Sequence, residues 1–244
     1  MGPSEATVIS EAPAPSGLAS RSAAEPVLEA RNLNKQWRSN KVQVLEEVSL
    51  DLMPGTATWV GGENGAGKTT LLRILSGLIT ADSGEVRISG LDIERDRRAY
   101  QQHVGFLSAG NTGLFNRLSV KRHFAYWARL AFVPRDQRAQ AAEESLDRFN
   151  LRELADRRVE RMSMGQRQRV RLALVFLHRP KMLFLDEALT SLDGQGAALL
   201  HAACTETLDR GGAILACSPT GEREDEIDFG RRFLLDGGRL ERVE

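Results

Sequence analysis

Gly62-Glu63-Asn64-Gly65-Ala66-Gly67-Lys68-Thr69-Thr70 is the stretch that decides the fold. It fits G-x-x-x-x-G-K-[S/T] and lies between a strand predicted over 56–60 and a helix predicted over 71–78. That context is what the motif's mechanism requires. Glycines let successive backbone N–H groups turn inward around phosphate oxygens, and the following helix adds the positive end of its dipole. Gly62, Asn64, Gly65 and Gly67 form this cradle, and Thr70 continues it into the helix. The Lys68 ammonium suits the β- and γ-phosphates, and the Thr69 hydroxyl suits Mg²⁺.

A second signal lies further along the chain. Met182-Leu183-Phe184-Leu185 is an apolar run followed by Asp186-Glu187. In a parallel sheet, ligands bind at the carboxyl ends of the strands, so Asp186 falls where a metal-bound phosphate would be held. Glu187 is the candidate base that polarises a water in line with the terminal phosphate, facing away from Asp186 if the strand geometry persists. A strand cap or a helix-start carboxylate would account equally for the two acids taken alone.

Around these two segments, short buried strands alternate with helices. Strands are predicted over 27–30, Val42–Leu52, 84–90, 103–107, Ala213–Cys217 and 232–235, the last turning at Gly237-Gly238 into a short final strand. Residues 118–178 read as mostly helical, broken at Pro134 and resumed over 136–148, and a further helix is predicted over 196–210. The expected fold is α/β with a parallel sheet, an antiparallel β portion before it and a helical insertion within it, at about 115–170. Residues 1–25, rich in Ala, Pro, Ser and Glu, read as a disordered tail, and 26–244 as the folded domain.

Composition sets limits on function. The 33 basic residues match the 33 acidic ones, which argues against a generic cationic nucleic-acid binder, and no nucleic-acid partner is expected. The two cysteines, Cys204 and Cys217, have no paired spacing, which argues against a disulfide framework or a zinc site. No apolar run approaches the roughly 20 residues of a membrane-spanning helix. Without a basic-then-apolar leader pattern, a cytoplasmic location is expected.

Met162-Ser163-Met164-Gly165-Gln166 precedes a helix predicted to begin near Arg167, with Ser163 as its N-cap. This segment, between the phosphate loop and the acidic strand, resembles the Leu-Ser-Gly-Gly-Gln signature of ATP-binding cassette (ABC) proteins. Ser191-Leu192-Asp193 and Leu235-Asp236-Gly237-Gly238-Arg239-Leu240 resemble that family's later loop and closing strands. The resemblance implies the ABC type of P-loop NTPase fold and implies that Trp37 stacks on adenine. It also implies an ATPase that works in head-to-tail pairs. ATP and Mg²⁺ on the phosphate loop of one copy would be covered by Ser163, Gly165 and Gln166 of the other. The pair would be a homodimer seated on a separate transmembrane permease subunit, at the inner face of the membrane. Asn116-Arg117-Leu118-Ser119-Val120 resembles the cassettes that export lipids, polysaccharides or drugs.

Three positions depart from the family pattern. Met164 stands in place of the first signature glycine. The glutamine expected after residues 104–107 is missing, with Ala109 near its place and Asn111 a candidate substitute. Ser218-Pro219 stands where the family has Ser/Thr-His, so the histidine that contacts the γ-phosphate is replaced by Pro219 and slow turnover is expected. None of the four histidines falls at that place, and all four read as structural or solvated. The aromatic stretch of His123, Phe124, Tyr126, Trp127 and Leu130 suits either packing of the insertion or a groove for a helix of the membrane partner. Arg167, Arg169 and Arg171 read as a solvated face. A soluble cassette acting in translation or DNA repair would normally bring a second cassette or a long coiled coil, and neither is found. A small-substrate P-loop kinase would leave residues 163–166 unexplained.

Overall fold

The computed structural model describes residues 25–37, 42–108, 110, 113–188, 192–219 and 227–243. The predicted tail at 1–25 therefore lies outside the described residues except for Glu25, and so do Ala109, Asn111 and Ser191.

In chain order the elements are β1 (Leu28–Trp37), β2 (Val42–Leu52), β3 (Thr56–Gly61), α1 (Lys68–Leu75), β4 (Ser83–Ile88), β5 (Leu91–Asp92), α2 (Arg97–Gln101) and β6 (Val104–Leu107). Then follow α3 (Val120–Leu130), α4 (Arg138–Arg148), α5 (Met164–Phe176), β7 (Met182–Asp186), α6 (Gly194–Asp209), β8 (Ala213–Cys217), β9 (Arg231–Asp236) and β10 (Arg239–Val243). Two short 3₁₀ turns, Arg152–Leu154 and Val159–Arg161, link α4 to α5. The strands form two sheets. One is antiparallel, in the order β2-β1-β4-β5, and the other runs β10-β9-β3-β8-β7-β6. Every pair in the second sheet is parallel except the β9–β10 hairpin.

The central strands are mostly apolar because both of their faces are covered. Along β7, Met182 and Phe184 pack with α1 and the antiparallel sheet, while Leu183 and Leu185 pack with α5, α6 and the helical insertion. Leu215 and Cys217 of β8 take the α1 side, and Ile214 and Ala216 the other. On β3, Trp59 lies on the α5 side and Val60 on the α1 side. This alternation fixes which side chains reach the site from each face.

Several boundaries differ from the sequence expectation. The first helix spans Lys68–Leu75 rather than 71–78: the phosphate loop runs straight into it, and Gly77 (φ +72°) ends it. Helix α5 begins at Met164, directly after its Ser163 cap, and α6 at Gly194, where the Asp193 carboxylate accepts from Gly196 N at 2.7 Å. The sequence reading also missed β5 and α2. The latter buries Tyr100, whose hydroxyl donates to Leu75 O.

Two of the four histidines are built into the packing. His123 is fully buried: its Nε2 accepts from Phe115 N at 2.8 Å, so its Nδ1 is the donor to Ser119 O at 2.9 Å. His178 meets Val104 O at 2.8 Å through Nε2, and its Nδ1 is buried with no hydrogen-bond partner among the described residues. Burial holds both imidazoles below their ordinary pKa, partly offset by those carbonyls. Protonating either ring would place a second N–H against a donor or an apolar wall. The stability that the neutral rings contribute is whole above the unfolded value of about 6.5 and is lost as pH falls towards the lower folded value. Urea unfolding should therefore show a falling midpoint from pH 7.5 to 5.5, and His123→Asn should flatten that dependence. An unchanged slope in the variant would remove His123 from the account.

Candidate nucleotide site

The phosphate loop occupies the turn from β3 to α1. Gly67 caps α1 with φ +107°, in the left-handed region that glycine tolerates, and a Cβ there would press on Val44 Cγ1 at 2.7 Å and Val44 O at 2.8 Å. A Cβ on Gly62 would meet Leu235 O at 2.5 Å. The loop is thus hemmed in by β2 on one side and β9 on the other. Asn64 and Gly65 are exposed at its tip, and Thr70 is half-buried on α1. Lys68 is buried, and its Nζ donates to Gly62 O at 2.6 Å and Glu63 O at 2.9 Å. It curls back over its own loop, where a phosphate oxygen would be a competing charged acceptor.

Thr69 Oγ1 donates to Asp186 Oδ1 at 3.0 Å, joining the first turn of α1 to the end of β7. Asp186 follows Met182 and Phe184 in the strand's alternation and so faces α1. Burial raises the affinity of its carboxyl for a proton, an effect opposed by the Thr69 hydrogen bond and by the Arg73 and Lys68 charges, while the Glu187 charge adds to it. A carboxylate in that position gains from a cation. Among the described residues no three His, Cys, Asp or Glu cluster as a metal cage. One carboxylate with one hydroxyl nevertheless fits Mg²⁺, which takes few protein ligands and completes its shell with phosphates and water.

Strand geometry does not persist through Glu187. It has φ +50°, and its backbone N–H donates to Cys217 O at 2.9 Å. The chain therefore leaves β7 by a left-handed residue pinned to β8. A non-glycine residue in that region is uncommon and concentrates at functional sites.

The signature-like segment is a formed helix start. Ser163 Oγ accepts from Gln166 N at 3.3 Å, and Gln166 Oε1 accepts from Ser163 N at 3.1 Å, a reciprocal capping box. Ser163 and Met164 are exposed. A Cβ on Gly165 would fall on Asp193 Oδ2, so the cap of α6 sits directly against this helix start. The sequence reading missed that contact, because nothing in the spacing of residues 165 and 193 signals it. Trp37 lies at the end of β1, paired with Val42 of β2, two residues from the Val44 that borders the loop. Its ring is 40 % exposed, with Lys35 Nζ 5.5 Å from the centroid. Within this one chain, Lys68, Thr69, Asp186 and Glu187 come together at the carboxyl edge of the sheet.

Arg171 corrects the expectation of a solvated arginine face. It is buried, and its guanidinium donates to Gly110 O, to Ser108 O at 2.6 Å and to Ser108 Oγ at 3.2 Å. Burial lowers its pKa, yet a guanidinium stays charged. It thus ties α5 to the segment after β6. Arg171 also borders a groove of about 690 Å³ walled by Phe106, Leu114, Trp127, Leu130, Phe132 and Val175. In the aromatic stretch, His123 and Phe124 are core, while Tyr126 and Leu130 are exposed.

One more pair sits under the loop. Trp59 and Gly61 are successive residues of β3 on one face, and a Cβ on Gly61 would fall within the Trp59 indole.

The parallel sheet, its glycine-rich strand-to-helix turn and the acidic strand end define a P-loop nucleotide-binding fold. Comparison with known proteins narrows this. The family model described as "ABC transporter" matches residues 45–190. The ABC transporter ATP-binding protein NatA of Bacillus subtilis is 34% identical over 158 residues, covering 65% of this chain and 64% of that protein. The sulfate/thiosulfate import ATP-binding protein CysA of Methylococcus capsulatus is 34% identical over 223 residues, covering 88% and 62%. A solved ATP-binding subunit of an ABC transporter superposes with a TM-score of 0.76 at 23% identity, covering 88% of each chain. The chain belongs to the ABC transporter family. It spans just under two thirds of the length of these two relatives. Among the described residues no helix is long and apolar enough to cross a membrane.

The Trp59–Gly61 fit makes a stability prediction. Gly61→Ala alone should cost about 1–3 kcal/mol through overpacking. In the background of Trp59→Leu, most of that cost should vanish, because the indole that the methyl would strike is gone. Urea unfolding of the four-member cycle measures the coupling, and additive costs would show that the two residues do not share the space.

Proposed function

We propose that the chain is an ATP-binding and ATP-hydrolysing subunit that powers a membrane transporter. The observation that carries this is the Thr69–Asp186 contact, which brings the hydroxyl of the phosphate loop and the acid of β7 to one point beside Lys68. Phosphates would lie on the loop's N–H groups with Lys68 as counter-charge, and Trp37 would cover the adenine. Thr69 and Asp186 would hold Mg²⁺, which when bound neutralises phosphate charge. Glu187 would accept the proton of the attacking water.

A single chain leaves the outer side of that site open. Ser163, Gly165 and Gln166 lie at the exposed start of α5, and in the proposed homodimer they cover the ATP of the partner copy. Closure is then driven by ligand, since ATP binds the paired state better than the separate one. The apolar groove beside Arg171 is the proposed seat for a segment of a separate transmembrane subunit, with exposed Leu130 at its rim. The chain would thereby be held at the inner face of the membrane. Export is the direction we propose, supported by the Asn116-Arg117-Leu118-Ser119-Val120 stretch. Pro219 offers neither a side-chain donor nor a backbone N–H, which supports slow hydrolysis.

Two outcomes follow. Lys68→Ala should abolish tight Mg-ATP binding in calorimetry, and an unchanged affinity would remove the loop from the site. Glu187→Gln should keep ATP binding but slow hydrolysis by about 10²–10⁴-fold. Normal turnover in that variant would place the catalytic carboxylate elsewhere.

A further inference from the structure

The surface of the helical insertion carries charge of one sign that the ATP site does not use. From Gly113 to Pro134 the chain has four cations, Arg117, Lys121, Arg122 and Arg129, and no acidic residue. All four are exposed. Residues 155–161 run alongside: Lys121 N donates to Ala155 O at 2.8 Å, Val120 N to Arg157 O at 3.1 Å and Val159 N to Leu118 O at 3.1 Å. They add exposed Arg157, Arg158 and Arg161. The two acids of that segment are engaged, Asp156 with Lys121 and Glu160 with Arg158. Among the described residues, Arg117, Arg122, Arg129, Arg157 and Arg161 have no carboxylate partner. The chain as a whole is neutral, so the positive excess is local to this face.

Apolar side chains stand among these charges. Phe115, Tyr126 and Leu130 are 50%, 43% and 46% exposed. Arg122, Tyr126, Arg129 and Leu130 recur at i, i+4, i+7 and i+8 along α3, so they share its outer face. Val120, His123, Phe124 and Ala128 are the residues that α3 buries. Phe115 is fixed in its exposed place. Its N–H donates to the buried His123 Nε2 at 2.8 Å, its ring stacks on that imidazole at 5.9 Å, and Tyr126 meets it edge-on at 5.6 Å. Leaving these side chains outside the core forgoes the gain of burying them. A face that mixes cations with exposed aromatic and aliphatic groups fits the boundary of an anionic bilayer, where headgroups take the charge and the rings lie at headgroup level. Leu130 also lines the groove proposed above as the permease seat, so in that reading the face borders the side turned to the membrane.

We infer that the outer face of α3, with Phe115 and the arginines of residues 155–161, rests directly on the anionic headgroups of a bilayer. This is a lipid contact in addition to the proposed permease seat, and it rests on that reading only for its orientation. The guanidinium forks match phosphate oxygens, and each gains from the negative potential of the surface. Tyr126, Phe115 and Leu130 add apolar contact at the headgroup boundary. Salt screens the first contribution and leaves the second.

The test is co-sedimentation of the purified full chain with phosphatidylcholine vesicles and with vesicles of an equimolar mixture of phosphatidylcholine and phosphatidylglycerol, with circular dichroism to confirm folding. The chain should bind the anionic vesicles, bind the neutral ones about tenfold more weakly or less, and be released as salt rises. Arg122→Glu and Arg129→Glu should each weaken binding about fivefold or more, and Tyr126→Ser by a smaller factor. Arg242→Glu, the same charge change on exposed β10, should leave it within about twofold. An equal loss in Arg242→Glu would reduce the effect to net charge and overturn the inference, as would no vesicle binding or equal binding to neutral vesicles. If Arg122→Glu freed the chain from native membranes but changed nothing on protein-free vesicles, the face would belong to a membrane protein and the inference would fall. Every variant should keep Mg-ATP binding in calorimetry. Failure on vesicles therefore leaves the proposed function standing, and failure of the unmodified chain to bind ATP leaves the lipid contact standing.

Discussion

Thr69 and Asp186 lie 117 positions apart and meet at 3.0 Å. Most of the architecture is arranged so that they can. The β3-to-α1 turn has to be tight, which sets glycine at 62 and 67, where β9 and β2 crowd the backbone. Strand β7 has to be buried on both faces, so that its side chains alternate and Asp186, its fifth residue, falls on the α1 face. The parallel register of β3, β8 and β7 brings the loop, Cys217 and Asp186 to one edge. Such an edge collects backbone N–H groups and strand-end side chains, and the fold exposes it to ligand.

The cost of this arrangement is concentrated in a few groups. Asp186 is ionisable and buried, and Lys68 is a buried cation bonded to its own loop. Glu187 is held in a left-handed conformation that few non-glycine residues adopt. These are unfavourable features for a fold, and in the proposed ATP site each would be relieved or used by phosphate and a divalent cation. The antiparallel sheet and α1 enclose one core, and the insertion with α5 and α6 encloses the other. Both cores reach the site through the central strands.

Much of this was legible in the sequence, for a physical reason. The phosphate loop, the apolar run into Asp186 and the Ser163 cap are local patterns, each determined by neighbours within ten residues. Strands Val42–Leu52 and Ala213–Cys217 were legible because burial stamps a continuous or alternating apolar pattern on them. What escaped was set by contacts across the fold. Arg171 reads as one of three alternating arginines, and only the packing of α5 on the segment after β6 shows it to be buried. Asp193 against Gly165, and Trp59 against Gly61, likewise depend on which faces meet. The first turn of α1 escaped because its residues double as the phosphate loop, whose glycine-rich run carries no helical period.

In the proposed homodimer, two copies of this chain share each ATP site, the loop of one facing the α5 start of the other. Mixing two defective chains tests it most directly. Lys68→Ala spoils the loop and leaves the α5 start intact, whereas Ser163→Arg blocks the α5 start and leaves the loop intact. Each should be inactive alone, and their equimolar mixture should regain hydrolysis, because one of the two sites in the mixed pair then contains both sound halves. A mixture no more active than its separate components would contradict the shared site.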